Sequence, residues 1–126
     1  MRVQCQVSLG ELVDKITILM IKKDKITDKG KLKLINGELS VLSQTLDLLL
    51  LKDIKIYLDD LKRINSELWI IEDLIREKER EKLFDDEFID LARKVYMTND
   101  KRFEIKNKIN DKYGSTVKEV KSYKPY

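Results

Sequence analysis

The apolar positions along the chain recur mostly three and four residues apart, which is the period of one face of an α-helix. Four stretches show this pattern. The third stretch also carries apolar residues beside its main seam, so it should pack against more than one partner helix. The predicted seams are Leu9, Leu12, Val13, Ile16, Leu19 and Met20; Leu32, Ile35, Leu39, Leu42, Leu46 and Leu49; Ile54, Tyr57, Leu61, Ile64, Leu68, Ile71 and Ile75; and Phe88, Leu91, Val95, Ile105 and Ile109, the last interrupted by Thr98 and Arg102.

Capping and turn residues indicate where these helices end. Ser8 and Glu11 have the spacing of a capping box, so the first helix is predicted from about Leu9 to Ile26. A turn over residues 27–30, a break within 47–53 and a turn over 83–85 separate the helices. The fourth is predicted from about Asp86 to Tyr113, with Gly114 in the left-handed position that often ends a helix.

The chain is therefore predicted to be one all-α domain over residues 1–126. Short connections favour antiparallel neighbours, which gives an elongated four-helix bundle of two antiparallel helical hairpins. Residues 3–7 alternate polar and apolar positions and predict a short N-terminal strand, and residues 114–126 form an extended basic tail. Narrow, charged hairpins can complete their burial by dimerising, so a homodimer or a purely structural coiled-coil oligomer stays open.

Composition narrows the chemistry and the location. The chain lacks histidine and has one cysteine, so neither a His-based triad nor an ordinary zinc site can form. We predict no cofactor. The net charge of +3 is too small to favour nucleic acid as a partner, although residues 59–90 are acidic overall and residues 101–126 are basic. The single Cys5, with no signal pattern and no apolar run long enough to cross a membrane, predicts a cytoplasmic protein.

A candidate binding face emerges if the third and fourth helices pair antiparallel about the turn near residue 84. Arginine is scarce in this chain, and its planar fork suits carboxylate or phosphate groups better than lysine does. The predicted ligand-binding residues are Trp69, Glu72, Arg76, Arg93, Tyr96, Asn99, Asp100 and Arg102. They could hold an anionic or sugar-like ligand or a protein partner. The alternative is an ion-pair network between the helices, with Glu72 and Asp100 neutralising the arginines.

A second hypothesis concerns Glu11 and Asp14 on the first helix. They could share a Mg²⁺ ion with Glu72 or Asp73, in an enzyme acting on a nucleotide or nucleotide-sugar. Two acidic residues three apart are expected by chance in a chain with 23 of them, and Glu11 already has a capping role. A non-enzymatic binding or interaction module is therefore the leading hypothesis.

Several segments resemble a bacterial and phage domain family of unknown function, and the resemblance covers almost the whole chain. The segments are residues 8–19, 67–73 with Ile75 and Arg76, 88–96, 98–102 and 121–123. The family's members are small helical proteins, some encoded near surface-polysaccharide genes, so the resemblance implies a role around sugar or cell-envelope metabolism. One departure is Met20, where the family pattern would have Glu, and this weakens a metal site on the first helix.

Overall fold

The computed structural model describes all 126 residues and contains four α-helices and no strand. Helix α1 spans Leu9–Lys25, α2 spans Lys29–Leu48, α3 spans Ile54–Glu81 and α4 spans Asp86–Lys112. Short connections at residues 26–28 and 82–85 join them into two helical hairpins. The predicted all-α bundle of four helices is confirmed, and its predicted boundaries differ from the observed ones by only one or two residues.

The predicted strand over residues 3–7 is wrong. This segment is exposed and forms neither helix nor strand, and Val3 and Val7 face the solvent. A strand needs a neighbour that pairs with its backbone amides and carbonyls, and no other segment of this chain is extended beside it in a sheet. The alternation of polar and apolar residues was therefore insufficient to form a strand.

Helix α1 is the centre of the fold, because it packs against all three other helices, whereas α2 packs against α1 alone. The core combines residues from every helix: Val13, Ile16, Leu46, Leu61 and Ile109. Since α1 has neighbours on most of its sides, polar positions on it are buried as well. None of the helices combines the length and the apolar character that crossing a membrane requires.

The start of α1 is docked against the end of α4. The Ser8 hydroxyl accepts a hydrogen bond from the Glu11 amide at 3.1 Å, as the capping prediction required. Two further free amides find partners at the other end of the chain: the Gly10 amide donates to Asn110 Oδ1 at 2.7 Å, and the Leu9 amide donates to Ser115 Oγ at 3.2 Å. The amides of Leu9, Gly10 and Glu11, which have no acceptor within the helix, thus each donate to a side-chain oxygen.

The extended tail lies along α4. Gly114 adopts φ of 66°, as predicted, and turns the chain back so that the Ser115 amide donates to the Asn110 carbonyl. Farther on, Lys121 stacks over the Phe103 ring, and Tyr126 donates to the Asp100 carboxylate, which raises the pKa of Tyr126 to about 12. The tail's phenol therefore remains protonated, and able to donate, well above neutral pH.

Gly10 and Gly37, two of the three glycines within helices, should respond in opposite ways to replacement by alanine. A Cβ at position 10 would lie 2.6 Å from the Lys106 carbonyl oxygen, so Gly10→Ala forces α1 and α4 apart and should cost about 2 kcal/mol or more. A Cβ at position 37 meets nothing within 4 Å, so Gly37→Ala should add roughly 0.5–1 kcal/mol. Urea unfolding followed by circular dichroism measures both, and equal effects would contradict the tight α1–α4 contact.

Candidate functional site

A buried carboxylate on α1 organises the polar interior. The side chain of Asp14 is only 1% exposed. The Arg102 guanidinium on α4 donates two hydrogen bonds to it, from Nε to Oδ1 at 2.9 Å and from Nη2 to Oδ2 at 2.5 Å. This is the two-pronged geometry in which arginine binds carboxylate most strongly. Those hydrogen bonds also raise the pKa of Arg102, so the cation is permanent.

The third helix completes this cluster. Asn65 Nδ2 lies 2.9 Å from both Asp14 Oδ1 and Thr17 Oγ1, and the Thr17 hydroxyl donates to the Asp14 carbonyl. Asp14, Thr17 and Asn65 are all buried. Because each polar group in this set has a partner, the cluster avoids the cost of an unpaired buried charge. It joins α1, α3 and α4 in one register.

A second buried cation lies one helical turn farther along α4. Lys106 Nζ lies 2.8 Å from Glu11 Oε2 and 2.7 Å from Glu119 Oε2 in the tail. Burial lowers the pKa of Lys106, but the bonds to the two carboxylates raise it by more, so the ammonium stays charged. The predicted capping box is thus half correct, because Glu11 binds Lys106 instead of its own helix start. These residues line a small polar cavity with Arg102 and Lys121.

A cavity with both apolar and charged lining lies beside the buried cluster, between α1, α3 and α4. It has a volume of about 340 Å³. Its apolar lining consists of Ile18, Ile21, Leu68 and Trp69, and its polar lining consists of Asn65, Glu72, Asp73, Arg76 and Arg102. Arg102 therefore has two roles: one edge of its guanidinium holds Asp14, while the side chain remains 26% exposed towards the cavities.

The structure brings together half of the predicted binding residues. Four of them line the cavity between α1, α3 and α4, which we call the Trp69 cavity: Trp69, Glu72, Arg76 and Arg102. Tyr96, Asn99 and Asp100 instead line a separate cavity of about 410 Å³ between α4 and the tail. Arg93 is exposed and lines neither cavity.

The prediction of a single shared face on α4 was wrong for a geometric reason. Each residue turns the helix by ~100°, so Arg93, nine residues before Arg102, points to the opposite side of α4. Tyr96 is six residues away and is turned by about 120° from Arg102, which directs it towards the tail. Asn99 is the exception, because its Oδ1 accepts a weak bond from Arg102 Nη1 at 3.5 Å and it borders the polar cavity around Lys106.

The structure supports neither the ion-pair network of the named acids nor the metal site that were the two alternative hypotheses. The expected ion-pair network between α3 and α4 does not form from the named acids: Glu72 pairs with Arg76 on its own helix, and Asp100 faces Lys121 and Tyr126 of the tail. Nowhere do three carboxylate or thiol groups converge in a way that could hold a metal ion. Asp14 and Glu11 are instead bound to Arg102 and Lys106.

Four residues of the two polar clusters were not predicted: Thr17, Asn65 and Lys106, which are buried, and Glu119, which is partly exposed. A signal for Asp14 and Thr17 was present, because both share a side of α1 with apolar residues at helical spacing, such as Val13 and Ile21. The polar interruption of the α4 seam at Thr98 and Arg102 indicated the position of their partner. Nothing in the local pattern singled out Asn65 or the tail residue Glu119.

Removing the two partners of the buried ion pair should not have additive effects. Arg102→Ala leaves Asp14 buried without its cation and should cost about 3–5 kcal/mol, while Asp14→Ala should cost less because Arg102 can turn towards solvent. The double variant should lose at least about 1 kcal/mol less than the two single losses together. Urea unfolding of the four proteins measures this, and additive losses would contradict a coupled pair.

Comparison with known proteins identifies a family for the chain. No curated protein and no solved structure matches it. One family model matches the whole of residues 1–126, in agreement with the extent of the resemblance seen in the sequence. On this match the chain belongs to DUF6165, a family of unknown function.

Proposed function

We propose that this protein is a non-enzymatic binding module whose ligand site is the Trp69 cavity, and that the ligand is sugar-like and carries little charge. The observation that supports this most strongly is the lining of that cavity: one wall is aromatic and aliphatic, and a few carboxylate and guanidinium groups converge on the same space. Apolar walls with a small number of placed polar groups are typical of small-molecule sites, and about 340 Å³ lies at the lower end of their size range.

The types of residue favour a polyol. An indole ring offers a flat apolar surface for the C–H face of a sugar ring, while carboxylates accept hydrogen bonds from hydroxyl groups. Trp69, Glu72 and Asp73 supply these two functions within five consecutive residues of α3, which is slightly more than one helical turn. Ile18 and Ile21 of α1 add to the apolar lining.

The charge balance limits how anionic the ligand can be. Glu72 and Asp73 oppose Arg76 and Arg102 in the lining, and Asp14 lies behind Arg102, so the surroundings carry no excess positive charge. A polyphosphate would meet two carboxylates and would be repelled by them. A neutral sugar, or a sugar acid whose single carboxylate reaches an arginine, fits this balance better.

Arg102 is the group that is best organised in advance. Its Nε and Nη2 are held by Asp14, which fixes the guanidinium plane, while its Nη1 makes only the 3.5 Å contact with Asn99. A donor that is already oriented loses little conformational entropy when a ligand binds. Arg76 is more exposed and reaches the same cavity from the solvent side.

The role in surface-polysaccharide metabolism that the sequence resemblance implies is compatible with such a site, and we include it in the proposal. The metal-dependent alternative receives no support from a ligand set, because its candidate carboxylates do not converge. A protein partner that inserts a polar side chain into the same cavity would use the same residues, and the ligand titration below separates the two cases.

Binding of a sugar acid can be followed without a label, because Trp69 is the only tryptophan in the chain. We expect glucuronate to change the Trp69 fluorescence in a saturable way, and glucose to do so at higher concentration because it lacks the carboxylate. Arg76→Gln should weaken glucuronate binding by about 10-fold or more, the value of one charge-assisted hydrogen bond.

Arg93→Gln is the matched control, because it removes an arginine on the helical hairpin that lies outside the Trp69 cavity. It should leave glucuronate affinity unchanged. Circular dichroism would verify that both variants keep the helical content of the parent. No fluorescence response to glucuronate, glucose or N-acetylglucosamine would contradict the proposal, as would equal weakening by the two arginine variants.

A further inference from the structure

One side of α2 is unpartnered. Its buried residues Ile35 and Leu46 face α1, the only helix against which α2 packs. On the outer side, Leu34, Val41 and Leu48 are 76%, 43% and 81% exposed. These three residues lie seven positions apart, so they recur along one side of α2 at the interval of a heptad repeat, at one of the two positions per heptad that a paired-helix seam uses.

The molecule as a whole exposes more surface than a compact chain of its mass. Its accessible area is 9300 Å². A compact monomer of 14.9 kDa should expose about 7,000 Å². The extended ends of the chain account for part of the excess. Even so, the excess exceeds the roughly 800 Å² that each partner buries in a standard protein interface.

We propose that the protein forms a homodimer in which α2 of one copy packs antiparallel against α2 of a second copy, with the two-fold axis at Val41. The seam is symmetric about this residue, since Leu34 and Leu48 each lie seven positions from it. Antiparallel pairing therefore places Leu34 of each copy against Leu48 of the other and Val41 against its own equivalent. A self-complementary surface of this kind is what a two-fold dimer requires.

The charges along α2 select the antiparallel direction. Lys29, Lys31 and Lys33 lie at the start of the helix, whereas its last turn contains Asp47 and no basic residue. A parallel pair would bring the lysines of the two copies together, and an antiparallel pair brings them to the end that carries the aspartates.

The loop after α2 extends this surface. Leu50 is 90% exposed and has a φ of 50°, a left-handed conformation that is rarely adopted by leucine. Strain at a residue that also exposes an apolar side chain is a cost that a partner can offset. In the antiparallel dimer, Leu50 lies next to the first turns of the partner's α2 and can cover its lysine stems.

A second exposed apolar region, on the α3–α4 hairpin, is poorly suited to self-association. Ile70, Leu74 and Ile89 are exposed on the part of the α3–α4 hairpin where no residue from 66 to 97 is buried. A cavity of about 430 Å³ beside Leu74 is bordered by five carboxylates and one lysine: Glu77, Glu81, Asp86, Glu87, Asp90 and Lys78. Two identical copies of this face would repel each other, so α2 is the better dimer surface.

Sedimentation equilibrium of the full chain tests the dimer, with one disruptive and one control variant. The parent should be dimeric at micromolar concentration. Val41→Asp places two carboxylates against each other on the axis and should weaken dimerisation by more than about 100-fold, since facing like charges cost several kcal/mol. Ile89→Asp makes the same change at a similarly exposed residue on α4 and should leave the dimer intact.

A monomeric parent at all concentrations, or dissociation by Ile89→Asp but not by Val41→Asp, would overturn the proposal. Circular dichroism of both variants would verify that they fold, and because both positions are exposed, neither change disturbs the core.

Disulfide cross-linking tests the direction of pairing, in a Cys5→Ser background that removes the exposed native thiol. Val41→Cys should oxidise rapidly to a covalent dimer. Leu34→Cys alone should not, because the two positions are about 21 Å apart in an antiparallel pair, far beyond the reach of a disulfide. A mixture of the Leu34→Cys and Leu48→Cys chains should form the mixed dimer. Cross-linking of Leu34→Cys with itself would instead show a parallel pair.

Discussion

A carboxylate that is almost completely buried can stay charged in a folded protein only when a cation and hydrogen-bond donors surround it, and Asp14 depends on Arg102 and Asn65 for this. These residues belong to α1, α4 and α3 respectively. Sliding any of the three helices by one turn would leave a buried charge or amide without its partner. The apolar core alone would tolerate such a shift far better, since leucine and isoleucine contacts are not directional. The ion pair therefore determines the register in which three of the four helices pack.

The same pair connects the fold to the candidate site. Arg102 is fixed by Asp14 on one edge and borders the Trp69 cavity and the polar cavity near Lys106 with the rest of its side chain. The cavity walls come from α1, α3 and α4, whose relative position the ion pair determines. A site built in this way is formed before any ligand arrives, and α2 contributes nothing to it. The outer surface of α2 is consequently available for a different role, which we assign to self-association.

The sequence predicted the helices well because their signals are local: Ser8 caps the start of α1, and Gly114 ends α4. Of the nine residues that line the Trp69 cavity, four were predicted as ligand-binding: Arg102, and Trp69, Glu72 and Arg76, which share one face of a single helix. The prediction failed where the answer depended on rotation about a second helix, as with Arg93, or on a contact between distant segments, as with Asn65 and Glu119. Periodicity within a segment gives the face of a helix but not the direction in which that face is finally turned.

The contacts that hold α1 in place join residues far apart in the chain. Asp14 and Arg102 are 88 positions apart, and Gly10 and Asn110 are 100 apart. Contacts of this sequence separation close a long loop when they form, and such closure slows folding. A helical bundle whose buried polar partners are this distant is therefore expected to fold more slowly than one held together by neighbouring segments, although its secondary structure is almost entirely local.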